Sequence, residues 1–278
     1  MRSATRLHKV EEDLLLEAIF HRYGYDFRNY ARASLSRRLK DQVEKAKVSH
    51  VSDLIPKVLY DENYFRDFLM SLTLNVTEMF RDPHFYLAFK KWVLPNLTTY
   101  PFLKIWHAGC ATGQEVYSIA ILLQEANLLN RVNIYGTDIN LESLKTAKEG
   151  IYPLKLLKQY QDNYMKAGGE YSLNKYFYNQ YDYAIMTTEL KNKMLFAEHN
   201  LACDHAFGEM NVIICRNVLI YFNIELQKTV LQLFYDSLCY NGFLCLGDKE
   251  SIEFTGMKEK FELLDKNAKI YRKIGQFS

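Results

Sequence analysis

Apolar positions in the middle of the chain group into three consecutive elements. Residues 104–115 begin as an apolar strand and pass through a glycine turn into a helix, whose residues 116–123 are apolar almost all round. A second apolar strand, 132–137, ends in Asp138. A strand, a glycine turn, a helix, a strand and an acidic residue, in this order, are typical of the first half of a nucleotide-binding α/β sheet.

The apolar pattern returns near the end of the chain. Residues 210–215 predict a buried strand, and a helix follows from about 224 to 238. Strands at 243–246 and around 269–273, preceded by a turn at Asn241-Gly242, are expected to form an antiparallel hairpin. We therefore predict one doubly wound, Rossmann-like α/β sheet, with ligands bound beyond the carboxyl ends of its strands.

Residues 152–198 interrupt the alternation of strand and helix. Eight tyrosines lie between Tyr152 and Tyr183, and two strand-like runs occur at 181–187 and 193–197. We expect an inserted small antiparallel β-subdomain with one short helix. The tyrosines fit either half-buried sheet faces or a protein interface.

The first 72 residues predict a separate all-helical domain, so that 73–278 form the second domain. The first helix covers 11–21, and the second is expected to begin with Asp26 as its N-cap and to run towards Lys47. Further helices are expected at 51–59 and 63–72.

Composition narrows the class of protein. The chain has 278 residues, 49% of them hydrophobic, enough for one large domain or two small ones. No apolar run approaches the ~20 residues of a membrane span and no signal-peptide pattern is present, so we expect a cytoplasmic protein without membrane insertion. The five cysteines lack a C-x-x-C pair and are expected to be reduced; no metal-ligand cluster is apparent. A net charge of only +2 argues against nucleic acid as a partner.

Charge is concentrated in the predicted helix 26–47. Residues 28–47 contain seven basic and two acidic residues. Arg37, Lys40 and Lys47 fall on one side of this helix, and Arg38 and Lys45 on the other. Such a run is either a solvated helix face or a docking surface for an acidic partner.

The glycine turn carries the first chemical signal. Its pattern is G-x-x-x-G, which differs from the G-x-G-x-x-G of dinucleotide sites, and Glu115 in the first helical turn would repel phosphates. A carboxylate there suits a cofactor that is cationic near its ribose, such as S-adenosylmethionine, and Asp138 is placed to accept hydrogen bonds from ribose hydroxyls. The alternative is a helix-capping Glu115 and a turn Asp138. The loop 73–83 could fold over such a cofactor.

Six motifs in order resemble those of the CheR family of chemotaxis-receptor methyltransferases, and together they span nearly all of the chain. They are Phe27-Arg28-x-Tyr30 with Ser34-Leu35-x-Arg37-Arg38-Leu39, Asn75-x-Thr77-x-x-Phe80-Arg81, Ala108-Gly109-Cys110-Ala111-Thr112-Gly113-Gln114-Glu115, Thr137-Asp138-Ile139, His199-Asn200-Leu201, and Cys215-Arg216-Asn217-Val218-Leu219-Ile220-Tyr221-Phe222. Two positions depart from the family pattern: Gln114 replaces a common Glu, and Asp248-Lys249 replaces His-Ser in Gly-His-Ser-Glu.

The resemblance implies methyl transfer from S-adenosylmethionine to glutamate side chains of chemoreceptor helices, giving glutamyl methyl esters and S-adenosylhomocysteine. It implies cofactor contacts at Asn75, Thr77, Arg81, Glu115, Asp138, Asn200, Leu201, Arg216 and Asn217. Arg81, and with it Arg216 and Tyr221, is implied to border the transferred methyl. Receptor docking is expected at Arg37, Arg38, Lys40 and Lys47, and the protein is expected to act as a monomer.

Two other functions fit parts of the pattern. One is methylation of a nucleic acid or small molecule with the same cofactor, although no Asn/Asp-Pro-Pro-aromatic motif follows the strand 210–215. The other is an inactive module that senses the cofactor or binds a receptor. The presence of Arg81, Glu115, Asp138 and Arg216 favours an active enzyme.

Overall fold

The computed structural model describes residues 2–72 and 77–275, with side chains from residue 6 onwards. The chain forms two compact units. One comprises Met1–Leu74 and Ile220–Thr229, and the other comprises Asn75–Leu219 and Val230–Ser278. The segment 220–229, which the sequence analysis placed in the second domain, thus belongs to the first unit.

The first unit is helical. Its helices are α1 (Arg2–Tyr23), α2 (Arg32–Ala46), α3 (Leu54–Tyr60) and α4 (Glu62–Leu72). Their apolar faces meet in a core that includes Leu16, Leu39 and Phe68, and Tyr23 stacks on Phe65 with ring centroids 3.7 Å apart.

The prediction that Asp26 is the N-cap of α2 was wrong by five residues, because the N-cap is Ala31 and the helix begins at Arg32. The Asp26 carboxylate accepts hydrogen bonds from the backbone N–H and the guanidinium of Arg28, at 2.8–3.0 Å. This local turn uses the carboxylate that would otherwise cap the helix. Lys47, with a φ of 54°, ends α2 in the left-handed conformation.

The segment 220–229 joins this unit through its backbone. The N–H of Ala31 donates to the carbonyl oxygen of Tyr221 at 2.7 Å, and the N–H of Asn223 donates to that of Asn29 at 2.9 Å. Residues just ahead of α2 therefore hold this segment in place.

The second unit contains a seven-stranded sheet, which confirms the doubly wound Rossmann-like fold. Its strands lie in the order β6-β2-β1-β7-β8-β10-β9, and β10 is antiparallel to both of its neighbours. The others described here pair in parallel, with Ala108 opposite Thr137 and Cys215 opposite Leu246, so that their carboxyl ends meet at one edge. The strands of this sheet are β1 (Leu103–Ala108), β2 (Val132–Asp138), β6 (Met194–Glu198), β7 (Met210–Cys215), β8 (Leu238–Leu246), β9 (Phe261–Asp265) and β10 (Ile270–Lys273).

Helices cover the sheet and connect its strands. They are α5 (Pro83–Trp92), α6 (Leu94–Leu97), α7 (Gln114–Glu125), α8 (Leu141–Glu149), α9 (Leu157–Lys166), α10 (Thr188–Lys191) and the part of α11 (Ile224–Ser237) from Val230 onwards. All residues of α7 from Val116 to Leu123 are buried, as the continuous apolar run predicts.

The inserted region forms a three-stranded antiparallel sheet of β3 (Ile151–Pro153), β4 (Phe177–Gln180) and β5 (Tyr183–Met186), in the order β3-β5-β4. Four of the eight tyrosines are buried: Tyr152, Tyr160, Tyr164 and Tyr176. The other four are exposed: Tyr171, Tyr178, Tyr181 and Tyr183. The strand-like run 193–197 does not join this sheet. It is β6, which pairs in parallel with β2, because α10 returns the chain to the start of β2, where Lys193 accepts a hydrogen bond from Ile134.

The end of the chain differs from the predicted hairpin. β10 does pair with β8 in antiparallel fashion, but β9 lies between them in sequence and forms the outer edge of the sheet. Asn241-Gly242 lies within β8 and not in a turn before it; Asn241 has a φ of 57°, close to a register shift against β7. Among the helices of the described residues, none is both long and apolar enough to cross a lipid bilayer.

Candidate functional site

The glycine turn between β1 and α7 is fastened to the end of β2. Gly109, Ala111 and Gly113 have φ values of 75°, 48° and 88°. The N–H of Ala111 donates to Oδ2 of Asp138 at 2.8 Å, and the N–H of Asn140 donates to Oδ1 at 2.9 Å. Burial raises the pKa of Asp138, although these N–H donors act in the opposite direction. Asp138 therefore organises the turn as well as ending the strand.

A buried guanidinium joins three distant segments. Arg216, directly after β7, donates through Nη1 to Oε2 of Glu115 at 2.9 Å and through Nη2 to Oδ2 of Asp82 at 2.8 Å. Its side chain is 1% exposed, and its Cζ lies 4.1 Å from the ring centroid of Phe85. Two of the predicted site residues, Glu115 and Arg216, are thus direct ion-pair partners.

Glu115 has a second partner in His107 of β1, whose Nδ1 lies 3.3 Å from Oε1. Burial on its own would raise the pKa of Glu115, but the His107 hydrogen bond and the charge of Arg216 together lower that pKa below its ordinary value. His107 is itself buried. Its contact with Glu115 makes it a support of the site.

Arg81 lies in a turn with unusual backbone geometry. Its neighbours Phe80 and Asp82 have φ values of 53° and 56°. The buried Phe80 donates its N–H to Oγ of Ser118 at 2.9 Å, and Asp82 is bound to Arg216. Both sides of Arg81 are therefore anchored, while its own side chain remains 37% exposed.

Arg81 faces a cleft of about 440 Å³. The inserted region supplies one wall through α9, since Gln159 donates to Glu78 and Nδ2 of Asn163 donates to the carbonyl oxygen of Met79 at 3.2 Å. The tyrosine-rich insertion was predicted as a small antiparallel β-subdomain with one short helix, and its helix α9 also forms part of this cleft. The cleft is lined by Thr77, Glu78, Arg81, Leu156, Gln159 and Tyr160.

The turn after β7 presents Asn217, whose φ is 62°. Its N–H donates to Oε2 of Glu250 at 3.1 Å, and that of Val218 donates to Oε1 at 2.8 Å. A Cβ placed on Gly109 would lie only 2.4 Å from the Val218 side chain, so this turn packs directly against the glycine turn.

The predicted residues Asn200 and Leu201 follow β6. The N–H of His199 donates to the carbonyl oxygen of Asp138 at 3.2 Å, which brings this loop to the end of β2. Asn200 is held by Asp204, whose carboxylate accepts from its N–H at 2.7 Å, and Leu201 is buried.

Not all predicted residues join this group. Asn75 lies outside the described residues, and Tyr221 belongs to the first unit, where the Arg38 guanidinium lies 4.7 Å from its ring centroid. Arg38 is buried, and burial lowers its pKa, so its assignment to an exposed docking surface was wrong. It shares the buried face of α2 with Leu35 and Gln42. The other docking candidates, Arg37, Lys40 and Lys47, are exposed.

Sequence reasoning missed Asp82 as the second partner of Arg216, and Glu250 as the acceptor for the Asn217 turn. Asp82 lies between Arg81 and Pro83 in the sequence. Pro83 indicates the start of a helix, but nothing in this segment indicates that Asp82 forms an ion pair with Arg216. Glu250 stood in the Gly-x-x-Glu segment, without any indication of what its carboxylate contacts. Within the described residues there is no group of three or more His, Cys, Asp or Glu side chains that could hold a metal ion.

The sequence is similar to that of known proteins. The CheR methyltransferase SAM binding domain matches residues 75–270, and the CheR methyltransferase all-alpha domain matches residues 11–73. A Pseudomonas putida protein named Cher3 is 48% identical over 264 residues, which are 95% of this chain and 97% of that protein. The chemotaxis protein methyltransferase of Vibrio parahaemolyticus is 32% identical and that of Listeria innocua 29% identical, over 85% and 82% of this chain and 86% and 85% of theirs.

The two domain matches together span most of the chain, and the first carries the cofactor in its name. The glycine turn fastened by Asp138 and the Arg216–Glu115 pair both lie within that match. This chain belongs to the CheR family of methyltransferases, whose cofactor is S-adenosylmethionine.

Proposed function

We propose that this chain is a protein-glutamate O-methyltransferase acting on chemoreceptors in the cytoplasm. The observation that carries the proposal is the position of Arg81, a partly exposed guanidinium in a cleft beside the buried Glu115–Arg216 pair. A guanidinium is suited to orienting a carboxylate substrate through paired hydrogen bonds. The names of the Vibrio and Listeria relatives supply the chemotaxis context.

The residues fit S-adenosylmethionine. Asp138 accepts backbone N–H groups from Ala111, Ile139 and Asn140, and a carboxylate has about four acceptor positions, so a ribose hydroxyl can still be bound. Arg81 and Arg216 are balanced by Asp82 and Glu115. An amino-acid group that carries both an ammonium and a carboxylate therefore finds charges of both signs. Asn75, Thr77, Asn200, Leu201 and Asn217 complete the proposed cofactor set.

The bound cofactor supplies an electrophilic methyl group. A glutamate side chain, with an ordinary pKa of about 4.3, is already an anion at neutral pH, so the protein needs no general base. What remains is to hold the attacking carboxylate oxygen in line with the methyl at about 3–3.5 Å. Arg81 is proposed to perform this positioning. Arg216 acts on the same region through its ion pairs.

Receptor recognition is assigned to the exposed basic residues Arg37, Lys40 and Lys47. Chemoreceptor helices of the kind this family modifies are rich in glutamate around their methylation sites. Opposite charges on the two surfaces would accelerate encounter and would act less at high salt. Arg38 is not part of this surface.

The proposal is tested by incubating the protein with methyl-labelled S-adenosylmethionine and membranes of its host. Label on receptor-sized protein that is released by mild base identifies a methyl ester and supports the proposal. Label that resists base indicates another acceptor. Absence of label, combined with thermal stabilisation by S-adenosylhomocysteine, indicates a cofactor-sensing module.

A further inference from the structure

Glu250 is a buried carboxylate that the proposed chemistry does not use. It lies four residues after the end of β8 and is 4% exposed. Oε2 accepts the N–H groups of Gly247 and Asn217 at 2.6 and 3.1 Å, and Oε1 accepts that of Val218 at 2.8 Å. One side chain thus binds backbone donors from two separate turns.

The turn that Glu250 holds needs such a support. Asn217 has a φ of 62°, a conformation that costs energy for a residue with a side chain and persists only where the surroundings fix it. A Cβ on Gly247 would lie 2.8 Å from Oε2 of Glu250 and 2.9 Å from the nitrogen of Asn217. The two turns therefore approach each other so closely that only glycine fits at position 247.

We propose that Glu250 is a positioning residue for cofactor binding. It fixes the left-handed Asn217 turn and thereby places Asn217 towards S-adenosylmethionine. This inference rests on the proposed role of Asn217 in the cofactor site. Glu250 itself is not assigned to any contact with the cofactor.

The same loop offers a matched control. Asp248, two residues before Glu250, accepts a hydrogen bond from Nε2 of His84 at 3.1 Å, but both side chains are exposed to solvent. Exposed pairs of this kind contribute little. Asp248→Asn changes the charge of the loop by the same amount as Glu250→Gln, without touching the Asn217 turn.

The experiment measures the dissociation constant of S-adenosylhomocysteine by calorimetry for the full chain and for the variants Glu250→Gln, Asp248→Asn, Asn217→Ala and Glu250→Gln/Asn217→Ala. In Glu250→Gln the side-chain NH2 group replaces one of the two accepting oxygens. In either orientation of the amide, this NH2 faces a backbone N–H, so at least one hydrogen bond is lost. We expect affinity to fall by about tenfold, as for loss of one charge-assisted hydrogen bond. We expect Asp248→Asn to bind as wild type, and Glu250→Gln to have little further effect once Asn217 is alanine.

A residue that served stability alone would lower the melting temperature without this coupling. Equal affinity of Glu250→Gln and wild type would overturn the inference, as would full additivity of the two substitutions. If Glu250→Gln does not fold, Gly247→Ala tests whether the contact between the two turns supports cofactor binding, because it displaces the loop while retaining the Glu250 carboxylate. Wild-type affinity of Gly247→Ala would also overturn the inference. A wild-type chain that binds no S-adenosylhomocysteine would refute the proposed function, which is a different result.

Discussion

Arg216 and Arg81 lie on two turns of the same unit, and their surroundings differ sharply. Arg216 is enclosed: its side chain is 1% exposed, it contacts two carboxylates, and it lies over the ring of Phe85. Arg81 is anchored through its neighbours in the chain while its side chain, 37% exposed, lines a cleft.

This difference distinguishes the roles of the two arginines, which the sequence analysis assigned to the same cofactor contacts. A guanidinium already bound to two carboxylates has few donors left for a substrate, and its removal leaves buried charges without compensation. A guanidinium at the edge of a cleft can exchange partners as ligands arrive. We infer that Arg216 maintains the charge balance of the site, and that Arg81 meets the ligand.

The largest effect is expected for Arg216→Ala. It leaves Glu115 and Asp82, which are 17% and 31% exposed, without their shared cation, so we expect a loss at the lower end of the about 3–5 kcal/mol that follows from breaking a fully buried ion pair on one side. Urea denaturation followed by circular dichroism measures this loss. Arg272→Ala, which breaks the exposed pair with Glu262, is the matched control and should cost less than about 1 kcal/mol. Equal losses for the two variants would contradict the division of tasks.

The pH dependence of stability provides a second test of the role of Arg216. The pKa of Glu115 is lowered in the folded chain, so its contribution to stability is complete above its ordinary value of about 4.3 and is lost as pH falls through the lower folded value. Arg216→Ala removes one cause of that shift. The decline of unfolding free energy on the acid side should therefore be shallower in the variant than in wild type.

Arg81→Ala should separate activity from stability. We expect turnover to fall by roughly 10²-fold, because the attacking carboxylate or the cofactor is no longer positioned. The melting temperature should change little, because the partly exposed side chain is not among the buried residues of the core. Methyl-transfer assays and thermal unfolding on the same preparation provide both values. Retention of wild-type turnover would return Arg81 to an ordinary surface role.

Asp138→Ala should weaken S-adenosylmethionine binding by roughly 10- to 150-fold, since each charge-assisted bond to ribose is worth about 1.5–3 kcal/mol. Asp265→Ala is the control: its carboxylate also accepts two backbone N–H groups in a turn, at 3.0 and 2.9 Å, but at the remote turn between β9 and β10. Calorimetry on both variants distinguishes ribose binding from support of a turn. Similar cofactor affinity in the two would remove the ribose assignment.

The smallest effect is expected at the basic surface of α2. Replacing Arg37, Lys40 and Lys47 with glutamate should lower kcat/KM for receptor by about tenfold at low salt and flatten its salt dependence, with cofactor affinity unchanged. The control replaces three other exposed lysines, Lys145, Lys258 and Lys266, with glutamate, for the same change in net charge. If both triple variants lose activity equally, the effect is one of overall charge and the docking assignment is incorrect.

The predicted parts of the fold are those encoded within short stretches. The strand 104–108, its glycine turn, the helix after it and Asp138 follow one another in sequence, so periodicity and turn chemistry were sufficient. β6 was assigned to the wrong sheet and β9 was not predicted. The position of a short strand depends on which strands it pairs with, and the residue pattern of the strand alone does not identify those partners.

The site was less predictable because its contacts are long-range. The Arg216 bonds to Asp82 and Glu115 span 134 and 101 residues. Arg38 was assigned to an exposed surface because helical periodicity does not reveal that Tyr221 covers it. Asp26 was predicted as a helix cap because Asp is common at that position. The sequence does not show that its carboxylate instead accepts hydrogen bonds from Arg28, two residues away.

The long reach of Arg216 also bears on when the site forms during synthesis of the chain. A nascent chain that has not yet reached residue 216 contains Asp82 and Glu115 but lacks the guanidinium between them. Closing such large loops is a slow, entropically costly step. The charge balance of the site can therefore be complete only after residue 216 has been made and placed at the end of β7.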